Sequence, residues 1–297
     1  MKEYIGLSAR IYNIKRVKEY RRIVVFMIRS VINNAKMKEL ITFFQKDALL
    51  SDIASHNPFI FEQVTRQIFY HKSTFLERLS LIKEHFVFLK KYLNEEALHL
   101  IYTSEGLTLW QQECQNEMLS LSLSFHGVNK KEGLITFELK LQHRIYHATF
   151  WIALDKNGEI SLWIGALQGS LKGSKKISDL TKYFYGYRPK NLIVYGLRLI
   201  ATGLNIRKIY AVSNCGFYAN NHIRLDRKLK TSLDEFWEET GGILSRDNRF
   251  YELPLIEPRK SLDEVKSQKR NLYKKRFALL DEMSNVITQK LTSYLVI

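Results

Sequence analysis

Between Trp163 and Ser174 an apolar run ends in a loop of glycines, hydroxyls and lysines: Trp163-Ile164-Gly165-Ala166-Leu167-Gln168-Gly169-Ser170-Leu171-Lys172-Gly173-Ser174. These residue types suit the handling of a phosphorylated ligand. Glycine lets a backbone approach a ligand closely, and free N–H groups ahead of a helix attract anions. Gln168, Gly169, Ser170, Gly173 and Ser174 are the candidates to hold phosphates through backbone N–H groups, with Lys172 and Lys175 adding charge. As a bare motif the loop is weak, because an ordinary surface loop has the same composition. Its place between a strand and a helix strengthens it.

Other chemistry finds less support. His143 and His147 have the i, i+4 spacing that suits zinc on a helix, but they fall in or between strands, where four residues span about 13 Å. They read as packed or exposed strand histidines. The chain has no Cys-x-x-Cys, His-Glu-x-x-His, Walker A or Gly-x-Ser-x-Gly sequence, and no metal is expected. Cys215 follows Asn214 at a strand end, where a nucleophile could sit; an incidental thiol is the simpler reading. The basic run from Lys266 to Arg276 fits a solvated helix face, an anionic membrane or partner surface, or nucleic acid, in that order.

The elements that position these residues follow from hydrophobic period. Residues 1–118 read as helical. Ile14, Val17, Val24, Ile28 and Val31 recur at helical spacing between basic residues. The first forty residues hold ten Lys/Arg against three Glu. A helix packing on its own domain is the plain reading, and contact with an anionic membrane surface the sharper one. Further helices are expected over about 60–93 and 95–117, after a break at Asn57-Pro58. From Leu119 the period changes to two. Strands are predicted over 119–125, 134–141, 145–154 and 160–167, an antiparallel meander whose last turn is Asp155-Lys156-Asn157-Gly158. A helical crossover, broken near Gly186 and Arg188-Pro189, leads to a short strand at 209–213, so the strands ending at Leu167 and Ser213 should run parallel. Ligands collect at the carboxyl ends of strands where a sheet switches direction. A short helix at 234–240 with Ser232 as N-cap, a strand at 250–255 and a long C-terminal helix behind Ser261-Leu262-Asp263-Glu264 complete the chain. The fold class is therefore α+β: a helical N-terminal region, 1–118, and a mixed, mostly antiparallel core, 119–297, closed by a long basic helix.

Composition bounds the partners. A net charge of +16 favours anionic partners, and 45% hydrophobic residues with 12% aromatics argue for a folded chain. Two cysteines, Cys114 and Cys215, read as free thiols in a reducing compartment. The early apolar run, Ile23 to Ile28, is too short for a signal h-region and is broken by Arg29. No stretch reaches the roughly 18 apolar residues of a spanning helix. A cytoplasmic location is expected.

Five separated pieces resemble one family. They are Leu162-Trp163-Ile164-Gly165 with Leu167-Gln168-Gly169; Leu180-Thr181-Lys182 with Gly186, Arg188-Pro189-Lys190 and Leu192; Ala211-Val212-Ser213-Asn214; Phe236-Trp237-Glu238-Glu239 with Gly241-Gly242; and Lys269-Arg270 with Tyr273-Lys274-Lys275-Arg276. In order and spacing they look like the VirK/YbjX family of Gram-negative bacteria, over about residues 100–290. The resemblance implies a virulence-associated protein linked to envelope integrity and antimicrobial-peptide resistance. It implies no catalytic residues.

A more distant similarity concerns architecture. A meander, a loop-to-helix turn, a parallel strand and a final helix–strand unit resemble the GNAT acyltransferase fold, in which acyl-CoA enters the splay between two parallel strands. That likeness implies acyl-CoA or another acyl thioester as donor and Gln168–Ser174 as the pyrophosphate loop. The usual Gln/Arg-x-x-Gly-x-Gly/Ala pattern is not matched, since Leu171 stands where glycine is usual. Asn214 would orient donor or acceptor, and Glu159 or Tyr218 would serve as base or acid. The acceptor would be an envelope or lipid precursor or a peptide amine. The expectation of a different class is a non-enzymatic basic protein, peripheral at the inner membrane, that binds anionic lipid, RNA or an acidic protein.

Overall fold

The computed structural model describes residues 2–114, 116–125, 130–170, 174–221 and 231–296, the side chains of Ser174 and Asn221 aside. Seven helices come first: α1 Lys2–Ile11, α2 Val17–Ile32, α3 Asn34–Gln45, α4 Ala48–His56, α5 Phe59–Thr65, α6 Phe75–Tyr92 and α7 Glu95–Thr103. The strands follow as β1 Leu107–Cys114, β2 Glu117–Ser124, β3 Ile135–Lys140, β4 Arg144–Leu154 and β5 Ile160–Gly169. Then come α8 Ser174–Tyr183, α9 Pro189–Gly203, β6 Lys208–Val212, α10 Asp234–Glu239, β7 Ile243–Leu244, β8 Phe250–Leu253 and the long α11 Ser267–Thr292.

The strands form one eight-stranded sheet in the order β1-β2-β3-β4-β5-β6-β8-β7. All neighbours are antiparallel except β5 and β6, which are parallel. This matches the α+β class, the meander and the direction switch expected from the sequence. The β4–β5 hairpin turns at Gly158, whose φ of +78° suits glycine. The loop is pinned by Asp155, which accepts from the N–H groups of Asn157 and Glu159.

Alternation assigns the two faces of the sheet. Phe137 on β3 packs on Gly196 of α9, and the same face carries Ile135, Phe150, Leu162 and Ile164. Trp151 points to the other face, where Phe69 and Tyr70, between α5 and α6, pack on its ring. The open edge of β4 beyond β3 is covered by α6. There the Ile152 N–H donates to His85 Nδ1 at 3.0 Å, and His85 Nε2 lies 2.7 Å from the Tyr102 hydroxyl. The acceptor role of Nδ1 places the ring proton on Nε2, which donates to Tyr102. Burial pushes the His85 imidazole down to about 3, so it stays neutral.

Three sequence expectations change. The helix expected over 95–117 stops at Thr103, and β1 runs from Leu107 instead. Gly106, with φ +110°, turns the chain out of the helix. Leu107, Leu109 and Trp110 then bury themselves while Gln111–Glu113 stay exposed. Pairing with β2 decides the conformation, because the Gln-Gln-Glu run has no strand period of its own. The helix over 60–93 is broken between α5 and α6. Phe69 and Lys72 take positive φ, and Thr74 and Glu77 then build a capping box for α6. The capping sequence Ser261–Glu264 closes a turn, with Glu264 accepting from the Ser261 N–H, but α11 starts later, at Ser267.

The pieces that carry the VirK/YbjX resemblance interlock. Trp237 donates from its indole to the Val212 carbonyl, Arg188 and Lys190 pair with Glu239, and Arg276 of α11 donates to the Tyr185 carbonyl. They tie α9, β6, α10 and α11 together, and Gly186, Arg188, Glu239, Tyr273 and Arg276, from three of the five pieces, line one cleft of about 320 Å³.

Candidate functional site

The parallel ladder is short. Pairs run from Ser161–Lys208 to Ile164–Ala211 and stop, although β5 continues to Gly169. The break coincides with a β-bulge. On the β4 side Phe150 faces Ile164 and Thr149 faces Ala166, which leaves Gly165 as the extra residue. Such a bulge bends a strand and increases its twist. Glycine is required there: a Cβ at Gly165 would lie 1.7 Å from the carbonyl oxygen of Glu132 and 2.9 Å from the Trp151 ring.

Glu132 is the most unusual group of this region. It is 3% exposed, and Gln168 Nε2 donates to its two oxygens at 3.1 and 3.3 Å. The Thr149 hydroxyl donates at 3.4 Å. Burial pushes its carboxyl up to about 8, against the opposing pull of those hydrogen bonds. The loop that carries it is clamped. Gln63 of α5 donates to the carbonyls of Lys130 and Gly133, Phe69 N–H to that of Lys131, and Leu134 N–H to that of Phe150.

Two rows of polar side chains cross the sheet beneath this carboxyl. Ser122, Glu138, His147 and Gln168 stand opposite one another on β2, β3, β4 and β5. Ser124, Thr136 and Thr149 form the next row, ending at Ala166. All but Gln168, which is half-buried, are buried. Burying so many polar groups on a central sheet is unfavourable unless they are paired or used. Burial pushes Glu138 up, but Lys140 and Arg144 outweigh it and hold the carboxyl below its usual range; Ser124 donates to it at 3.0 Å. His147 is pushed down to about 4 by burial and by Arg144. The row thus sets an ionised Glu138 beside a neutral His147, and Gln168 at its end joins it to the protonatable Glu132 of the loop before β3.

The residues singled out from sequence divide. Gln168 sits in the polar row. Gly169 pairs with Tyr146, and the Ser170 N–H donates to the Ile145 carbonyl, which spends that donor on the β4–β5 ladder. Lys172 and Gly173 lie outside the described residues. Ser174 opens α8, and Lys175 is exposed with no ion pair among the described residues. Tyr218 opens a short 3₁₀ turn, Tyr218–Asn221, beyond the end of β6, on the same side of the sheet as the Gln168 end of β5.

Asn214 holds structure together. Its Oδ1 accepts from Leu233 N–H, its Nδ2 donates to Ser232, its own N–H donates to Asp234 and its carbonyl accepts from Asn220. Ser232 is also the acceptor for Glu235 N–H, in keeping with the cap expected of it. Glu159 stands at the far end of β5, nine residues from Gln168 and about 30 Å away along the strand. It pairs with Lys208 and is exposed. It does not join Gln168 in one site. Cys215 is exposed and Cys114 buried, both as free thiols. His143 lies in the turn before β4, and His147 faces Glu138.

Sequence reasoning missed Glu132 and the polar rows. Lys130-Lys131-Glu132-Gly133 reads as a charged surface turn, and only tertiary packing buries the glutamate. It also missed an aromatic groove on the same face. Trp151, Trp163 and Tyr210 line up across β4, β5 and β6, with Trp163 stacked on Tyr210 at 4.4 Å. Two adjoining clefts of about 440 and 340 Å³ open beside Trp163, between Lys156, Lys208, Arg246 and Arg249 on one hand and Asp155, Asp247, Glu77, Glu84 and Glu252 on the other.

Comparison with known proteins fits this picture. No solved structure matches the chain. YbjX of Escherichia coli (strain K12), an uncharacterized protein, is 28% identical over 232 residues, which span 76% of this chain and 67% of its own. An uncharacterized protein of Haemophilus influenzae (strain ATCC 51907 / DSM 11121 / KW20 / Rd) is 28% identical over 272 residues, 90% of this chain and 88% of its own. The family model described as "Protein of unknown function (DUF535)" matches residues 15–289. With that match spanning nearly all the described helices and the whole sheet, the chain belongs to the VirK/YbjX (DUF535) family.

Proposed function

We propose that this protein transfers an acyl group from a thioester donor of the acyl-CoA type to an amine or hydroxyl, with an envelope or lipid precursor as the acceptor class. The observation that carries the proposal is the parting of β5 from β6 after Ile164–Ala211. A paired ladder along the full length would leave no room for a pantetheine arm. Past that pair β6 ends at Val212 while β5 runs on to Gly169, so a pantetheine arm would enter at the carboxyl ends of two parallel strands, where the sheet changes direction.

The residues fit such a donor in part. The Ser170 N–H is committed to Ile145, so the phosphate-facing donors would come from Gly169 and the first turn of α8, with Lys175 adding charge. Glu132 would act as the general base. Its carboxyl, pushed up to about 8, sits close to a working pH, where a base is most effective. The acceptor would approach at the same, carboxyl end of β5, beside Gln168 and Glu132. Its nitrogen or oxygen would attack the thioester carbonyl carbon, the carbon–sulfur bond would break, Glu132 would take the acceptor's proton, and the sulfur would leave as the thiol on taking a proton from Tyr218. Positioning, not a covalent enzyme intermediate, would do most of the work. The protein would work in the cytoplasm, against the inner membrane, in keeping with the envelope role that the family resemblance implies.

The test is calorimetric titration of the whole protein with CoA and with acetyl-CoA. Binding in the micromolar range that weakens at least tenfold in Lys175→Glu is expected. Absence of binding at millimolar CoA overturns the proposal and leaves the non-enzymatic reading, binding of anionic lipid, RNA or an acidic partner through the N-terminal helix and the basic run Lys266–Arg276.

A further inference from the structure

The helix α2 has an apolar arc wider than the fold covers. Phe26 and Ser30 are buried, with Ile23 and Met27 half-buried beside them; Phe26 packs edge-on against Tyr12. On a helix of 3.6 residues per turn, Tyr20, Val31, Val24, Val17 and Ile28 follow directly on from Met27 and carry the apolar arc round, away from the buried residues. These five side chains are between 47% and 79% exposed, and Ile14 and Ile32 extend the stripe at its two ends. Nothing in the described chain covers it. A soluble helix ordinarily turns its single apolar stripe inward. Here the arc runs on past its buried part into an outward stripe.

The charges around the outward stripe are all of one sign. Lys15, Arg16, Lys18 and Arg21 are exposed and make no ion pair among the described residues. The one acidic residue of α2, Glu19, lies toward the buried side and pairs with Arg22. A convex ridge of aliphatic side chains with unpaired cations beside it matches the interface of an anionic bilayer, where the ridge enters among the acyl chains and the cations meet phosphate groups. A second copy of the chain is a poor occupant: a two-fold pairing of identical ridges would bring both sets of cations together.

We infer that α2 docks this protein on anionic lipid surfaces, with Val17, Tyr20, Val24, Ile28 and Val31 as the inserted stripe and Lys15, Arg16, Lys18 and Arg21 as the headgroup contacts. The inference gives the peripheral membrane contact proposed above a defined surface, and rests on that part of the reading alone. It does not depend on acyl transfer.

The test is flotation of the whole protein with vesicles, in the absence of CoA. Vesicles of phosphatidylcholine alone are compared with vesicles containing 30% phosphatidylglycerol, on the order of a cell's anionic lipid content, at low and high salt. Binding to the anionic vesicles is expected. Val24→Glu/Ile28→Glu should weaken it at least tenfold at either salt, and Lys18→Glu/Arg21→Glu chiefly at low salt. Both pairs are at exposed positions, and an unchanged circular dichroism spectrum and Tm show that the variants fold. Equal vesicle binding by wild type and Val24→Glu/Ile28→Glu overturns the inference. So does a wild type that ignores vesicles but loses self-association, or binding to an acidic protein, in the same variant. Because no CoA is present, either failure leaves the acyl-transfer proposal standing on its own titration.

Discussion

Gln168 donates from Nε2 to both carboxylate oxygens of Glu132, at 3.1 and 3.3 Å, and so links the end of β5 to the buried loop before β3. The link joins a residue on the proposed donor side to the group best able to move a proton. It also makes the charge of Glu132 a property of the fold.

The first prediction concerns stability against pH. An unfolded glutamate ionises near 4.5, whereas Glu132 in the folded chain holds its proton up to about 8. The folded state therefore binds more protons than the unfolded state between those values, and stability falls as pH rises through that window. At 1.36 kcal/mol per pH unit the whole effect is bounded by about 5 kcal/mol. Glu132→Gln keeps the neutral shape and removes the titration. The Tm of wild type should drop from pH 5 to pH 8 while that of Glu132→Gln stays flatter. Parallel curves would show that Glu132 is ionised throughout.

Gln168→Leu tests the link itself. The amide of Gln168 lowers the Glu132 carboxyl relative to burial alone. Removing it should push that carboxyl above 8 and move the wild-type fall in stability to higher pH. The same variant should lower any acyl transfer at neutral pH, since less of the base would be ionised. A stability curve identical to wild type would mean that the hydrogen bonds do not form in solution.

His85 governs the acid side. Its Nδ1 accepts from Ile152 N–H and its Nε2–H reaches Tyr102. Its imidazole is held down to about 3, against 6.5 when free. Here the unfolded state binds more protons, so stability is lost as pH falls from about 6.5 toward 3; His147, held down to about 4, adds to the same loss. His85→Gln should flatten the fall measured by guanidinium unfolding between pH 7 and pH 4.5. His85→Ala, which strands a buried N–H and a buried hydroxyl, should cost roughly 2–5 kcal/mol at pH 7.

How much of this was legible in the sequence depends on the distance over which each feature is determined. The meander from β2 to β5 and the direction switch at β6 are written in local period and in one Asn-Gly turn, and they were readable. Strand β1 was not, because Gln111, Gln112 and Glu113 owe their conformation to pairing with β2. Gln168 was reached through its neighbours in the loop. Glu132 could not be, because its burial is imposed by α5, Phe69 and the bulge at Gly165, none of them close in sequence. The stripe from Val17 to Val31 was visible as a helical period. Its orientation was not, because Phe26, Ile23 and Met27 continue the same apolar arc and it is they that take the interior.

Asn214 separates a holding role from a substrate role. Its amide joins the end of β6 to the turn before α10 through Leu233 and Ser232. Asn214→Ala removes the acceptor for the buried Leu233 N–H and should destabilise the protein by roughly 1–3 kcal/mol. If that is its whole role, CoA binding measured well below the variant's Tm should stay within about twofold of wild type. A large loss of binding with unchanged Tm would assign Asn214 to the ligand instead.

Gly165 offers the sharpest structural test. The bulge sits where the β5–β6 ladder stops, and there the Glu132 carbonyl lies against the Gly165 backbone. A methyl group there would stand 1.7 Å from a backbone oxygen, not from a flexible side-chain tip, so the loop from Lys130 to Gly133 must move. Gln63 and Phe69 hold that loop through hydrogen bonds to three of its carbonyls, those of Lys130, Lys131 and Gly133, so the movement is resisted. Gly165→Ala should therefore destabilise the protein by about 2–4 kcal/mol, as overpacking of a rigid interior does. The displaced loop should also loosen Gln168 from Glu132. The variant's stability should then fall less steeply between pH 5 and 8 than that of wild type, because a more exposed Glu132 ionises nearer 4.5. A Gly165→Ala protein with wild-type Tm and wild-type pH dependence would show that the bulge and the carboxyl are not coupled.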